Sequence, residues 1–197
     1  MLNKMATNMA YFYYESNGTP YDEDEAEVIV YGMELLISTI LEALAILAIG
    51  IIAGKTLETL AFFAAFMPLR LNAGGYHAKT HLKCFCGVLM IYAAFLLIQF
   101  LVPLWMVSNL LLIITFVSAI PIFLLAPLPD KNKPIGPIQR KKFRKTSLII
   151  YFIQAAIIIL LSFTGIIPYI ALGFAVGQLS ASGSIVAAAI RDSWQGA

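Results

Sequence analysis

Polar residues are confined to a few short stretches of this chain, and the apolar runs between them are long enough to cross a lipid bilayer. Residues 2–15 place Leu2, Met5, Met9, Phe12 and Tyr13 at helical spacing, with Tyr11 and Tyr14 beside them. This predicts a short amphipathic helix lying on the membrane, where aromatic rings collect at the interface. Ser16-Asn17-Gly18-Thr19-Pro20 reads as a turn. Asp22, Glu23, Asp24, Glu25 and Glu27 then put negative charge at a helix start, where the helix dipole favours it.

Six apolar helices follow, over residues 26–53, 57–71, 80–101, 104–126, 147–163 and 167–190. Gly50 or Gly54 ends the first, and the Asn72-Ala73-Gly74-Gly75 break ends the second. Pro103 closes the third, and Pro121 lies inside the fourth. Pro127, Pro129, Pro134 and Pro137 mark the loop after it; Gly173, Gly177 and Gly183 loosen the last helix, where Ser180, Ser182 and Ser184 with Gly177 and Gly183 also read as close helix packing. All but the short second helix supply the roughly 17–25 residues that a crossing needs.

Composition agrees with lipid as the main solvent. The chain of 197 residues is 60% apolar and 12% charged, with a mean hydropathy of +0.86. A soluble domain carries about a quarter charged residues. The amino terminus lacks the basic start and apolar core of a cleavable signal, so the first apolar span is expected to insert uncleaved. Lysine and arginine set the orientation. With a cytoplasmic amino terminus and six crossings, 12 of the 13 basic residues fall inside and only Lys55 outside. The expectation is one all-α polytopic membrane domain over residues 1–197: an interfacial segment 1–20, a six-helix region 26–190, and both termini cytoplasmic.

One polar stretch, Arg70 to Cys86, interrupts the apolar pattern on the cytoplasmic side. It holds both histidines, His77 and His81, and both cysteines, Cys84 and Cys86. The cysteines are too close together for a good disulfide and read as free thiols in a reducing compartment. A cysteine becomes a nucleophile where a base or cation favours its thiolate. Seven residues separate His77 from Cys84, about 10 Å along a straight helix and too far for a hydrogen bond. A His77–Cys84 dyad therefore needs His77 in a loop that folds back at Gly74-Gly75, glycine reaching backbone angles that other residues avoid. Cys84 then lies in an early helical turn, at the positive end of the dipole and near Lys79 and Lys83. The bland alternative is a cysteine that merely packs and a solvated histidine. A metal site built on His77, His81, Cys84 and Cys86 is disfavoured, because residues two apart on a helix diverge by about 200°.

Arg70, Gly74-Gly75, His77 and Cys84, set among hydrophobic helices in a chain of this size, resemble the accessory gene regulator B (AgrB) family. Its members are membrane-embedded cysteine endopeptidases of Gram-positive quorum sensing. They process the precursor of a cyclic autoinducing peptide. The resemblance implies that His77 is the catalytic base and Cys84 the nucleophile, and that Arg70 and Gly75 occupy positions the family's activity needs. It implies a thioester on Cys84, formed as the precursor's carboxyl-terminal tail leaves and resolved by a (thio)lactone-forming attack within the peptide. A plasma-membrane location, a cytoplasmic active site, a small precursor peptide with an acidic tail as partner and no cofactor go with it. Neither metal nor nucleic acid is expected, and a homodimer is.

Two further features stand outside that motif. Arg140, Lys141, Lys142, Arg144 and Lys145 form a basic run that reads first as a topology signal on anionic lipid, and alternatively as a docking surface for an acidic tail, with Lys141 and Lys142 as its binding residues. Glu34 and Glu42, costly inside a membrane helix, lie eight apart on one face. They line either a helix interface or a polar path. The second option supports a rival reading, a small membrane carrier or exporter of a peptide or metal ion.

Overall fold

The computed structural model describes residues 2–18, 23–75, 81–128, 135–165 and 167–195. Seven helices make up nearly all of them: α1 (Leu2–Asn17), α2 (Glu23–Ile52), α3 (Thr56–Ala73), α4 (His81–Leu101), α5 (Leu104–Leu125), α6 (Pro137–Thr164) and α7 (Pro168–Gln195). The helices expected from the apolar pattern are all present. Among the described residues, four are long and apolar enough to cross a membrane: Gly32–Ile52, Trp105–Leu125, Pro137–Thr164 and Pro168–Ser193. In α4 the apolar stretch is shorter, Phe85–Leu101. The 18 residues of α3 extend about 27 Å at 1.5 Å per residue, a little less than the hydrocarbon thickness.

The short helix α3 lies at the centre of the bundle and packs against α7, α6 and α2. Its buried positions are Thr59, Ala61, Phe62, Ala65, Leu69 and Ala73, several of them small. The facing side of α7 is smaller still. A methyl group on Gly173 would overlap the Glu58 carbonyl oxygen, and one on Gly177 would overlap that of Phe62. The two glycines stand opposite Ala61 and Ala65, so the backbones touch. Close backbone approach is what holds helices together where lipid offers no hydrophobic drive between them. Gly173 and Gly177 therefore tighten α7 against α3 rather than loosening it, in line with the close packing expected at Gly177. Only Gly183 fits the looser expectation, since it is exposed and a side chain there meets nothing.

Buried polar groups join the remaining helices. Gln154 of α6 donates to the Ala65 carbonyl at 2.9 Å, and Tyr151 donates to the Thr115 carbonyl of α5 at 2.8 Å. Gln178 of α7 is fully buried; its Oε1 lies 3.1 Å from the Ser118 hydroxyl, and its amide N–H donates to the Tyr151 carbonyl at 3.4 Å. Each such bond between membrane helices contributes about 0.6–2 kcal/mol. Outward positions on α5, such as Phe116 and Leu124, are exposed and apolar, as a lipid-facing surface requires.

The helix α1 buries Ala6, Ala10 and Tyr14, four residues apart, and packs on α2. Its opposite side exposes Met5, Met9 and Phe12, in keeping with the amphipathic pattern. The largest departure from expectation is α6. It begins at Pro137, ten residues before the expected start near 147, so the basic run is helical rather than part of a loop. Pro137 occupies the first helical turn, where its missing N–H has no helical partner to lose.

Candidate functional site

The polar stretch after α3 is where chemistry was expected. Residues 76–80, which include His77 and Lys79, lie outside the described residues, as do the side chains of His81 and Cys84. The backbone on both sides of that gap is described, and so are the contacts that shape it.

Arg70 sits in the last turn of α3, where a cation complements the negative end of the helix dipole. Its Nη1 donates to the Gly74 carbonyl at 3.0 Å and to the Ser184 hydroxyl of α7 at 3.3 Å. The Ser184 hydroxyl in turn donates to the Ala181 carbonyl at 2.6 Å, which leaves its lone pairs facing the guanidinium. Gly74 has φ 78° and Gly75 φ 136°, angles at which a side chain is strained. Space forbids one as well. A methyl on Gly75, which is buried, would overlap Arg70 Nη1 and Ser184 Oγ, and one on Gly74 would overlap the Leu128 carbonyl oxygen. The Leu128 N–H donates to the Ala73 carbonyl at 3.0 Å. The glycine turn is thus held on three sides: by its own helix, by α7 and by the segment after α5.

That last segment is anchored from the basic run. Arg144 reaches the carboxyl end of α5, donating from Nη1 to the Ala126 carbonyl at 3.2 Å and from Nη2 to the Phe123 carbonyl at 3.1 Å. Carbonyls in the last turn of a helix lack helical donors, and an arginine fork satisfies them. Arg144 is therefore a helix cap, although it is exposed like its neighbours Lys141 and Lys142.

Helix α4 begins at His81 and runs unbroken to Leu101, so Cys84 is in its first turn. Position 84 begins the stripe 84, 88, 92, 95, 99, whose spacing keeps it on one helix face. On that stripe Tyr92, Phe95 and Gln99 are buried. Cys86, about 200° round the helix from residue 84, is exposed. The stripe is locked to α3 by a 2.5 Å hydrogen bond between the Tyr92 and Thr59 hydroxyls. Rings add to it: Phe62 meets Tyr92 edge-on at 5.8 Å and stacks on Phe95 at 5.9 Å. The same helix that carries Arg70 therefore sets the register of the helix that carries Cys84.

Glu34 and Glu42 are half-buried on α2, with buried Ser38 midway between them on the same face. They are remote in sequence from the glycine turn and belong to the helix that packs on α1 and α3. Ser184, Leu128, Thr59 and Arg144 were not expected at the site. Leu128 and Thr59 are single positions in apolar surroundings with no local pattern to mark them, Ser184 was one of three serines read as close helix packing, and Arg144 was one cation among five.

A family model described as Accessory gene regulator B matches residues 6–195. The chain belongs to the accessory gene regulator B family. Curated relatives span most of it. It is 27% identical over 149 residues to the Accessory gene regulator protein B of Staphylococcus aureus (strain bovine RF122 / ET3-1), covering 76% of this chain and 78% of the relative. It is 31% identical over 150 residues to Putative AgrB-like protein 2 of Clostridium perfringens (strain 13 / Type A), covering 71% and 70%. Against the Putative AgrB-like protein of Clostridium perfringens (strain SM101 / Type A) it is 32% identical over 166 residues, covering 79% and 74%. No solved structure matches the chain. AgrB membership thus extends the resemblance seen between Arg70 and Cys84 over nearly the whole sequence.

Proposed function

We propose that this AgrB family member is a membrane-embedded cysteine endopeptidase that removes the carboxyl-terminal tail of an autoinducing-peptide precursor in quorum sensing. The observation that carries the reading is the register of α4. Cys84 lies in the first turn, where the helix dipole favours an anion, and on the stripe that Tyr92 and Phe95 turn into the bundle, whereas Cys86 is exposed. The braced turn at Gly74-Gly75 supports it further, because a His77–Cys84 dyad needs the chain to turn back at these glycines, and both hold the positive φ that such a turn uses.

In this mechanism His77 accepts the Cys84 thiol proton, and the thiolate attacks a peptide carbonyl of the precursor. A carbon–sulfur bond forms and the carbon–nitrogen bond breaks. The proton passes from His77 to the departing amine of the tail. A cysteine thiol or serine hydroxyl within the remaining peptide then attacks the thioester, with His77 taking its proton and returning it to the Cys84 sulfur. A thiolactone or lactone ring is released and the enzyme is restored. Water competes for the same thioester, so a site at the membrane edge favours cyclisation by excluding it.

The surrounding charges take different parts. Lys141 and Lys142, exposed at the start of α6, offer cations to an acidic tail, and Lys79 favours the Cys84 thiolate. Arg70 donates to Gly74 and Ser184, which gives it a part in holding the turn. The site faces the cytoplasm in this reading, six helices cross the membrane, and the protein works as a homodimer. The test mixes detergent-purified protein with candidate precursor peptides and reads cleavage by mass spectrometry. Cys84→Ala and His77→Ala abolish cutting while Cys86→Ala retains it; cleavage by Cys84→Ala at the wild-type rate refutes the proposal.

A further inference from the structure

Among the described residues Arg70 donates to acceptors of different kinds. The Gly74 carbonyl belongs to its own connection, but Ser184 comes from the last helix, 114 residues away. We infer that Ser184 is a positioning residue for the proposed reaction: through Arg70 it holds the Gly74-Gly75 turn from which the segment bearing His77 departs. The inference rests on the peptidase reading and extends it to a residue on α7.

The argument is geometric. A guanidinium donating to one carbonyl can still pivot about that bond, and an arginine side chain has several rotatable bonds. An acceptor on another helix, held at 3.3 Å, restrains that pivot. Ser184 is itself restrained, because its single hydroxyl hydrogen is committed to the Ala181 carbonyl at 2.6 Å. Its oxygen can then only accept, which suits an arginine and no neighbouring carbonyl. Gly75 closes the arrangement from the other side, since the space that its side chain would take is occupied by Arg70 Nη1 and Ser184 Oγ together. The turn, the arginine and the serine interlock. Removing the hydroxyl leaves α7 helical and α3 in place, because the Gly173 and Gly177 contacts between them lie elsewhere. What is lost is one restraint on the Gly74-Gly75 turn, at the described end of the segment that carries His77.

A positioning role differs from simple packing in what it perturbs. The test uses purified full-length protein carrying Ser184→Ala, Ser184→Val or Ser184→Thr, a precursor peptide that the wild type cuts, and a maleimide reagent. Valine and threonine have nearly the same shape, so that pair isolates the hydroxyl. Ser184→Ala and Ser184→Val are expected to lower kcat about tenfold, the size of one lost hydrogen bond to a charged group, with KM nearly unchanged. Ser184→Thr restores kcat. In Ser184→Ala and Ser184→Val the pH profile of Cys84 alkylation moves toward that of His77→Ala, while alkylation of exposed Cys86 stays as in the wild type and serves as the folding control.

If Ser184→Val matches Ser184→Thr in kcat and in the Cys84 profile, the inference is overturned. A general loss, in which Cys86 reactivity changes together with Cys84, also overturns it, since the serine is then a packing residue. The two readings fail separately. Cleavage that survives Cys84→Ala removes the peptidase mechanism, whereas an inactive Cys84→Ala with unaffected Ser184→Val removes only the role of Ser184.

Discussion

The close seam between α3 and α7 predicts opposite effects for the same substitution at two glycines of one helix. Alanine in place of glycine inside a helix stabilises it by about 0.8–1 kcal/mol through backbone entropy alone. At Gly183 nothing stands in the way of the new methyl, so Gly183→Ala is expected to show that gain nearly undiluted. At Gly177 the methyl would overlap the Phe62 carbonyl oxygen and lie 3.0 Å from the Ala65 side chain. Both belong to helix positions that cannot swing aside, so α3 and α7 must part. Overpacking of this kind costs about 1–3 kcal/mol, and opening a seam by even 0.5–1 Å forfeits about a quarter to a half of each atom pair's attraction. Set against the helix-propensity gain, Gly177→Ala should destabilise the protein by about 0.5–2 kcal/mol. Thermal unfolding in detergent reads both effects, with a chain of this size shifting by about 2–4 °C per kcal/mol. The two variants should therefore bracket the wild type, Gly183→Ala above and Gly177→Ala below. Shifts of the same sign, or a Gly177→Ala protein at least as stable as the wild type, would refute the seam as the contact that joins the two helices.

Three other substitutions probe the surroundings of the proposed site. Gly75→Ala combines a strained backbone, costing about 1–3 kcal/mol, with expulsion of the Arg70 guanidinium from its acceptors; precursor cleavage should fall at least a hundredfold while the helical content seen by circular dichroism stays the same. Arg144→Ala uncaps the Phe123 and Ala126 carbonyls and should lower the melting temperature, whereas the double reversal Lys141→Glu, Lys142→Glu should leave melting unchanged and weaken only the affinity for an acidic-tailed precursor. If all these basic substitutions behave alike, Arg144 is not a cap. Tyr92→Phe removes the hydroxyl bonded to Thr59 and should cost about 1 kcal/mol of stability, read by the same melt; an unchanged melting temperature would show that the ring contacts alone hold α4 to α3.

Much of this architecture was legible in the order of residues, and the reason is the solvent. In lipid the backbone must satisfy its hydrogen bonds within each segment, so apolar runs of sufficient length become helices whatever their neighbours. Local residue chemistry set their ends too: Gly74 closes α3, Pro103 separates α4 from α5, and Gly165 adopts the left-handed angle at which α6 stops. The early start of α6 escaped because a basic run beside prolines reads equally as loop or helix, and like charges at the positive end of a helix argue against a helix there. The motif from Arg70 to Cys84 was found because its members are close in the chain and chemically unusual for a membrane segment.

The sequence by itself thus determined that this is a helical membrane protein of the AgrB kind, with Cys84 at a helix start and a glycine turn before it. That Arg70 meets the last helix was decided only by tertiary structure. Its acceptor on α7, the Leu128 segment beside the turn and the Arg144 cap behind that segment come from parts of the chain far apart in order. Nothing local distinguishes Ser184 from Ser180 or Ser182. Which serine meets an arginine depends on how far α7 slides along α3, and that register is set by backbone contact at Gly177 and Gly173, about two and three turns away.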